Sequence, residues 1–127
     1  MVPKLRGEVL LCAEKLVFHA LIVAKCALKD DDSNFADDLI RSALKVRQIF
    51  KDALNGPSDG PNAIDLVYKL NLAIGTLNGL QDISTIGYKR EIEKSKLVEF
   101  SNIQSTLLAQ VSRLYSEVSD GVMLPYT

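Results

Sequence analysis

Histidine is nearly missing from this chain, cysteine is scarce, and no sign of charge dominates. There is one histidine, there are two cysteines, and the net charge is −1 in 127 residues. The near-neutral balance speaks against a general nucleic-acid binder, a class that is usually basic. Two cysteines cannot build a disulfide scaffold here. Cys12 and Cys26 lie fourteen residues apart on one expected helix, which is ~21 Å along its axis and far beyond disulfide reach. They read as free, buried thiols, which suits a reducing compartment and a cytoplasmic protein.

Long uncharged apolar runs are also lacking. The stretch from Val9 to Leu28 has about the length of a bilayer span, but Glu14, Lys15, His19 and Lys25 interrupt it. Such groups are costly at membrane depth, and a signal peptide needs an unbroken apolar core. The expectation is therefore no membrane role. Apolar residues make up 47% of the chain, which argues against disorder, and the length suits a single domain over residues 1–127.

What is present is helical periodicity. No segment alternates with a period of two, and no internal repeat is visible. The first helix is expected over about 3–29, opened by Pro3. Val9, Leu10, Leu16, Val17, Leu21, Ala24 and Leu28 recur at helical spacing, and Leu11, Phe18 and Ile22 widen the stripe. A stripe this wide implies burial on more than one side, under the rest of the domain or under a second subunit.

The run "KDDDSN" breaks the pattern, with Ser33 or Asn34 as candidate cap and Asp37 and Asp38 in the next first turn. The second helix, about 34–55, carries Phe35, Leu39, Ala43, Val46 and Phe50. It ends at Asn55-Gly56-Pro57. "GPSDGP" is a short link, with Asp59 as candidate cap and Pro61 in the following first turn.

The third helix, about 61–82, presents Ile64, Val67, Leu70, Ile74, Leu77 and Leu80 as one face flanked by Leu66 and Ala73. "DISTIG" reads as the next break, with Ser84 or Thr85 capping. The fourth helix, about 88–119, carries the seam Ile92, Phe100, Ile103, Leu107, Val111, Leu114 and Val118, with a gap at Lys96. It stops at Asp120-Gly121. "VMLPYT" is a tail of unassigned role. Four helices with short links predict an all-α, antiparallel up-down-up-down four-helix bundle, its middle helices shorter than the outer two.

Gly75 and Gly79 lie one turn apart in the third helix, each costing ~1 kcal/mol against alanine. They mark a docking groove for a partner or subunit, close packing of the fourth helix, or fraying before the loop. Phe18 and Ile22 are the matching candidates on the first helix for close helix or subunit packing.

Catalytic signals are lacking too. His19 lies seven residues from both Cys12 and Cys26, ~10.5 Å along the axis, too far for one chain to hold a metal with all three. It reads as a core or interface histidine. No nucleophile elbow or phosphate-cradling loop is visible, and Asp30-Asp31-Asp32 lacks the ligand spacing of a calcium loop. No enzyme activity, cofactor or metal is expected.

Two basic clusters remain. Leu39 to Asn55 carries Arg41, Lys45, Arg47 and Lys51 against one acid, a local charge of +3. Lys89, Arg90, Lys94 and Lys96 are interleaved with Glu91 and Glu93. A solvated face accounts for such clusters, because no aromatic platform accompanies them. Arg41, Lys45, Arg47, Lys51, Lys89 and Arg90 are nevertheless the candidate contacts for nucleic acid or a partner.

"DDLIRSALKVRQIFKDALNG" (Asp37 to Gly56), with its Ile40-Arg41 pair and closing glycine, resembles the second helix of a bacterial superfamily. These are the small four-helix bundle proteins encoded in 23S ribosomal RNA intervening sequences, together with the accessory variability proteins of retroelements. "IDLVYKLNLAIGTLNGLQD" is similar to their third helix, with a small residue at Gly75, and "IGY" at Ile86 to Tyr88 to their turn before the last helix. The likeness spans roughly Leu16 to Val118. It implies a four-helix bundle assembled as a ring-like homo-oligomer, a pentamer in characterised members. It also implies an accessory role toward a reverse transcriptase and nucleic acid, with Arg41 the basic position carried over. The accessory members are strongly basic, whereas this chain is slightly acidic. The readings that follow are a non-catalytic, self-associating interaction protein and, as the alternative, an accessory nucleic-acid binder using a basic helix face.

Overall fold

Apolar residues at three- and four-residue steps coil into four helices in the computed structural model: α1 (Val2–Lys29), α2 (Ser33–Leu54), α3 (Pro61–Lys89) and α4 (Lys94–Met123). The structure describes residues 2–55, 61–90 and 92–123, and among these there is no strand. The link holding Asp59 and the end of the VMLPYT tail lie outside the described residues. α1 and α3 each pack on both α2 and α4, while α1 does not touch α3 and α2 does not touch α4 among the described residues. The helices thus stand at the corners of a square around one core.

That core is built from Val9, Leu16, Ala20 and Val23 of α1 and Leu39, Val46 and Phe50 of α2. Leu70, Leu77 and Leu80 of α3 and Phe100, Leu107, Val111 and Leu114 of α4 complete it, all fully buried. The gap expected at Lys96 is filled by buried Leu97. On α3 the inward face is rotated from the expected one: Leu66 and Ala73 are core, while Ile64 is 58% exposed. Periodicity could not choose, because α3 carries apolar residues nearly all round its circumference.

Several boundaries differ from expectation. "DISTIG" does not break the chain; α3 runs through it to Lys89 and, at 29 residues, is not a short middle helix. Ser84 Oγ donates to Leu80 O (3.3 Å) and Thr85 Oγ1 to Gln81 O (3.1 Å). These hydroxyls therefore turn back on their own helix and cap nothing. Tyr88 lies in the last turns of α3 rather than opening α4. Asp120-Gly121 does not stop α4, which continues to Met123.

The cap of α2 is Asp32, not Ser33 or Asn34: its Oδ1 accepts from Phe35 N–H at 3.3 Å. The earlier start moves Asp37 and Asp38 out of the first turn. α1 ends with Asp31 in the left-handed region at φ 58°. Asp32 N–H bonds Ala27 O and Asp31 N–H bonds Leu28 O, the paired closure that such a residue permits.

The glycine that packing demands is Gly87. A Cβ there would lie 2.8 Å from Phe35 Cζ and 3.0 Å from Leu97 Cδ2, both on buried rings or branches. Around Gly75 and Gly79, apart from neighbouring residues and backbone of α3 itself, nothing among the described residues lies within 4 Å of that position. Close packing of the fourth helix on these two is therefore ruled out. Fraying is too, since the helix continues ten residues beyond Gly79.

Gly87→Ala should cost about 1–3 kcal/mol by overpacking, whereas Gly75→Ala and Gly79→Ala should each stabilise the isolated chain by ~1 kcal/mol. Urea unfolding of the three variants checks the opposite signs. Leu107→Ala, in the middle of the seam, should cost about 2–5 kcal/mol; less than ~1 kcal/mol would contradict its burial.

Candidate functional site

Packing leaves three surfaces to consider. On α1 the outward face carries Leu11 (60% exposed), Phe18 (60%), Leu21 (49%) and Leu28 (53%). Ile22 is half-buried at its edge. The domain does not wrap this stripe, and Leu21 and Leu28, grouped by spacing with core residues, are on the water side. Leu44 of α2 is also exposed. Beside Leu11 an open groove of about 520 Å³ runs between α1 and α2, lined by Leu10, Ala13, Glu14, Arg47 and Lys51.

On α3 the outward residues Ile64, Tyr68, Leu72 and Ile86 are exposed, with Gly75 and Gly79 between them. The two glycines floor an open groove of about 550 Å³ bordered by Ser42 and Lys45 of α2. Since α1 and α3 occupy diagonal corners, these two apolar faces point away from each other.

The basic residues form no single patch. Arg41 pairs with Asp37 one turn before it. Arg47 and Lys51 both reach Glu14 of α1, at 3.6 Å each. Arg90 grips Asp32 through Nη1, at 2.7 Å and 2.8 Å to its two oxygens. Lys45 and Lys89 have no ion-pair partner among the described residues. Arg90 sits at the Asp32 end of α2, nineteen residues before Lys51, a separation of ~28 Å along the helix. Four of the six candidate cations are thus already partnered by carboxylates.

The stripe Cys12–His19–Cys26 exists as its spacing implies, and it faces α4. Each member meets a different residue of α4 or of the turn just before it. Cys12 Sγ–H donates to Ile103 O (3.8 Å), His19 Nδ1 lies 3.8 Å from Glu99 Oε2, and Cys26 Sγ–H donates to Glu93 Oε2 (3.7 Å). His19 also stands edge-on to the Phe18 ring at 5.4 Å. Both cysteines are free; Cys12 is buried, and Cys26 only half so. Burial pushes the Cys12 thiol above its ordinary value, against the opposing charge of Lys15. No group of three histidine, cysteine or carboxylate side chains among the described residues is placed to hold a metal. No helix among them is long and apolar enough to cross a membrane.

Sequence reasoning missed the Asp32–Arg90 clamp between the α1–α2 turn and the end of α3. Its only signal was an aspartate run in one turn and a basic pair in another. No protein-family model matches the chain, and neither does any curated protein or solved structure.

Hydrogen bonds from Arg90 hold the Asp32 carboxyl below its ordinary range, aided by Phe35 N–H and the guanidinium charge and opposed by desolvation. The folded carboxylate therefore binds its proton more weakly than the unfolded one. Its contribution to stability is complete above the unfolded carboxyl range, near pH ~4, and is lost as pH falls through the lower folded value. Asp32→Asn should lower Tm at neutral pH and flatten the fall of Tm on acidification. Thermal melts from neutral pH down to about pH 2 would show it; an unchanged acid limb would remove Asp32 as its source.

Proposed function

We propose that this chain is a non-catalytic interaction module that associates with copies of itself through the outward face of α1. Its scaffold is an antiparallel up-down-up-down bundle. Supporting that topology, Arg6 reaches Leu54 O and Glu14 reaches Arg47, so α2 descends as α1 rises. Cys12 meets Ile103 of α4, and Cys26 meets Glu93 just before α4 begins. Gln104 Nε2 donates to Leu77 O (2.8 Å), while Gly87 sits by Leu97, between α3 and α4. This is also the architecture implied by the resemblance to the intervening-sequence and retroelement accessory proteins.

The observation that carries the reading is the exposed stripe on α1. Leu11, Phe18, Leu21 and Leu28 are exposed together on one face of one helix, and gathered exposed apolar side chains mark interaction sites where scattered ones do not. The nucleic-acid reading is weaker, because Arg41, Arg47, Lys51 and Arg90 spend their charge on carboxylates of the same chain.

Light scattering on a size-exclusion column should find more than one copy per particle at micromolar concentration. Phe18→Asp, on a residue that the core does not use, should shift the particle to monomer with unchanged helical content. A wild-type monomer at high micromolar concentration would overturn the proposal. A steep loss of RNA or DNA affinity with added salt would instead favour phosphate contacts.

A further inference from the structure

Along the outward face of α1, the residues at alternating steps of three and four are Leu11, Glu14, Phe18, Leu21, Lys25 and Leu28. All six are exposed. That spacing is the seam of a two-helix contact, here laid on the side of the helix that the core does not use. We propose that α1 pairs antiparallel with α1 of a second copy across a two-fold axis midway between His19 and Ala20. This rests on the self-association proposed above and specifies its partner and register.

The argument is self-complementarity. In this alignment, each residue meets the one whose number completes a sum of 39. Leu11 faces Leu28 of the second copy, Phe18 faces Leu21, and Glu14 faces Lys25. Apolar meets apolar in every such layer, and the only two charges in the seam meet opposite sign. A parallel pairing would stack Glu14 on Glu14 and Lys25 on Lys25, and like charges facing each other are costly. Sliding the antiparallel pair by one heptad sets Glu14 against Phe18 in one direction and Leu21 against Lys25 in the other. The antiparallel arrangement also opposes the two helix dipoles favourably.

α2 repeats the pattern on the flank. Its level beside α1 is set by the contacts of Glu14 with Arg47 and Lys51 and of Arg6 with Leu54. At that level the same axis passes close to Leu44, itself exposed. Arg47 and Lys51 lie toward one end of α2, and Asp37 toward the other. The two-fold therefore brings the basic end of each α2 to the level of Asp37 of the other copy. That carboxylate is shared with Arg41 of its own chain, so the flank adds no like-charge clash and the seam itself carries the pairing. Such a closed, isologous contact yields an even number of copies.

Reversing one charge at a time tests the register. Glu14→Lys alone and Lys25→Glu alone should each weaken association at least about tenfold in sedimentation equilibrium, since each replaces two attractive pairs by two repulsive ones. Mixing the two variants, or combining them in one chain, should restore it. Circular dichroism keeps track of folding. Independently of charge, a Glu14→Cys/Lys25→Cys variant carrying Cys26→Ser should form a disulfide between position 14 of one copy and position 25 of the other. Within one chain these positions are ~16.5 Å apart along the helix, so that bond can form only between copies.

Bonds joining 14 to 14 and 25 to 25, or a particle of five copies, would overturn the two-fold antiparallel pairing. So would charge variants that leave association unchanged, or a mixture that does not restore it. If Phe18→Asp still dissociates the particle in those cases, self-association through α1 stands and only the register falls. A wild-type monomer would remove both.

Discussion

Closure of one apolar core by four helices decides which side of each helix water can reach. Phe50, Phe100, Leu16, Leu39, Leu70 and Leu107 are fully buried at its centre. A square of four helices can turn only one stripe of each inward, about 100° or somewhat more of its circumference. α2 has one such stripe, and apart from Leu44 its exposed surface is polar and charged. α1 and α3 carry more apolar residues than one stripe can hold. The surplus emerges as Leu11, Phe18, Leu21 and Leu28 on one corner and Ile64, Tyr68, Leu72 and Ile86 on the diagonal corner.

Glycine shows how the same residue type answers to different constraints. Gly87 is required from inside, where the Phe35 ring and the Leu97 methyls leave no room for a Cβ. Among the described residues, no packing contact requires Gly75 or Gly79. They weaken α3 as a helix and open a groove on its outer side.

Charge on this molecule acts locally. The acidic turn after α1 is held by Arg90 from the end of α3, which ties three helices together at one end of the bundle. Midway along α1, Glu14 draws Arg47 and Lys51 of α2 across the outer groove. These pairs are exposed and individually weak. Their consequence is to divide the +3 of α2 into separate, largely neutralised contacts, so that a count of basic residues overstates the field that an anionic partner would meet.

Four helices and their apolar character were legible in the residues themselves, because a 3.6-residue period survives whatever the helices pack against. That Cys12 and Cys26 stay free also followed from their distance along one helix. The facing of α3, the continuation through Ser84 and Thr85, and the exposure of Leu21 and Leu28 did not follow. A segment apolar on several sides has several equivalent inward faces, and only contact with the other three helices selects one. The sequence by itself determined that these segments coil and that water must be excluded from part of each. Tertiary structure alone decided which apolar residues are left over, because burial is a property of the assembled square and not of any one helix.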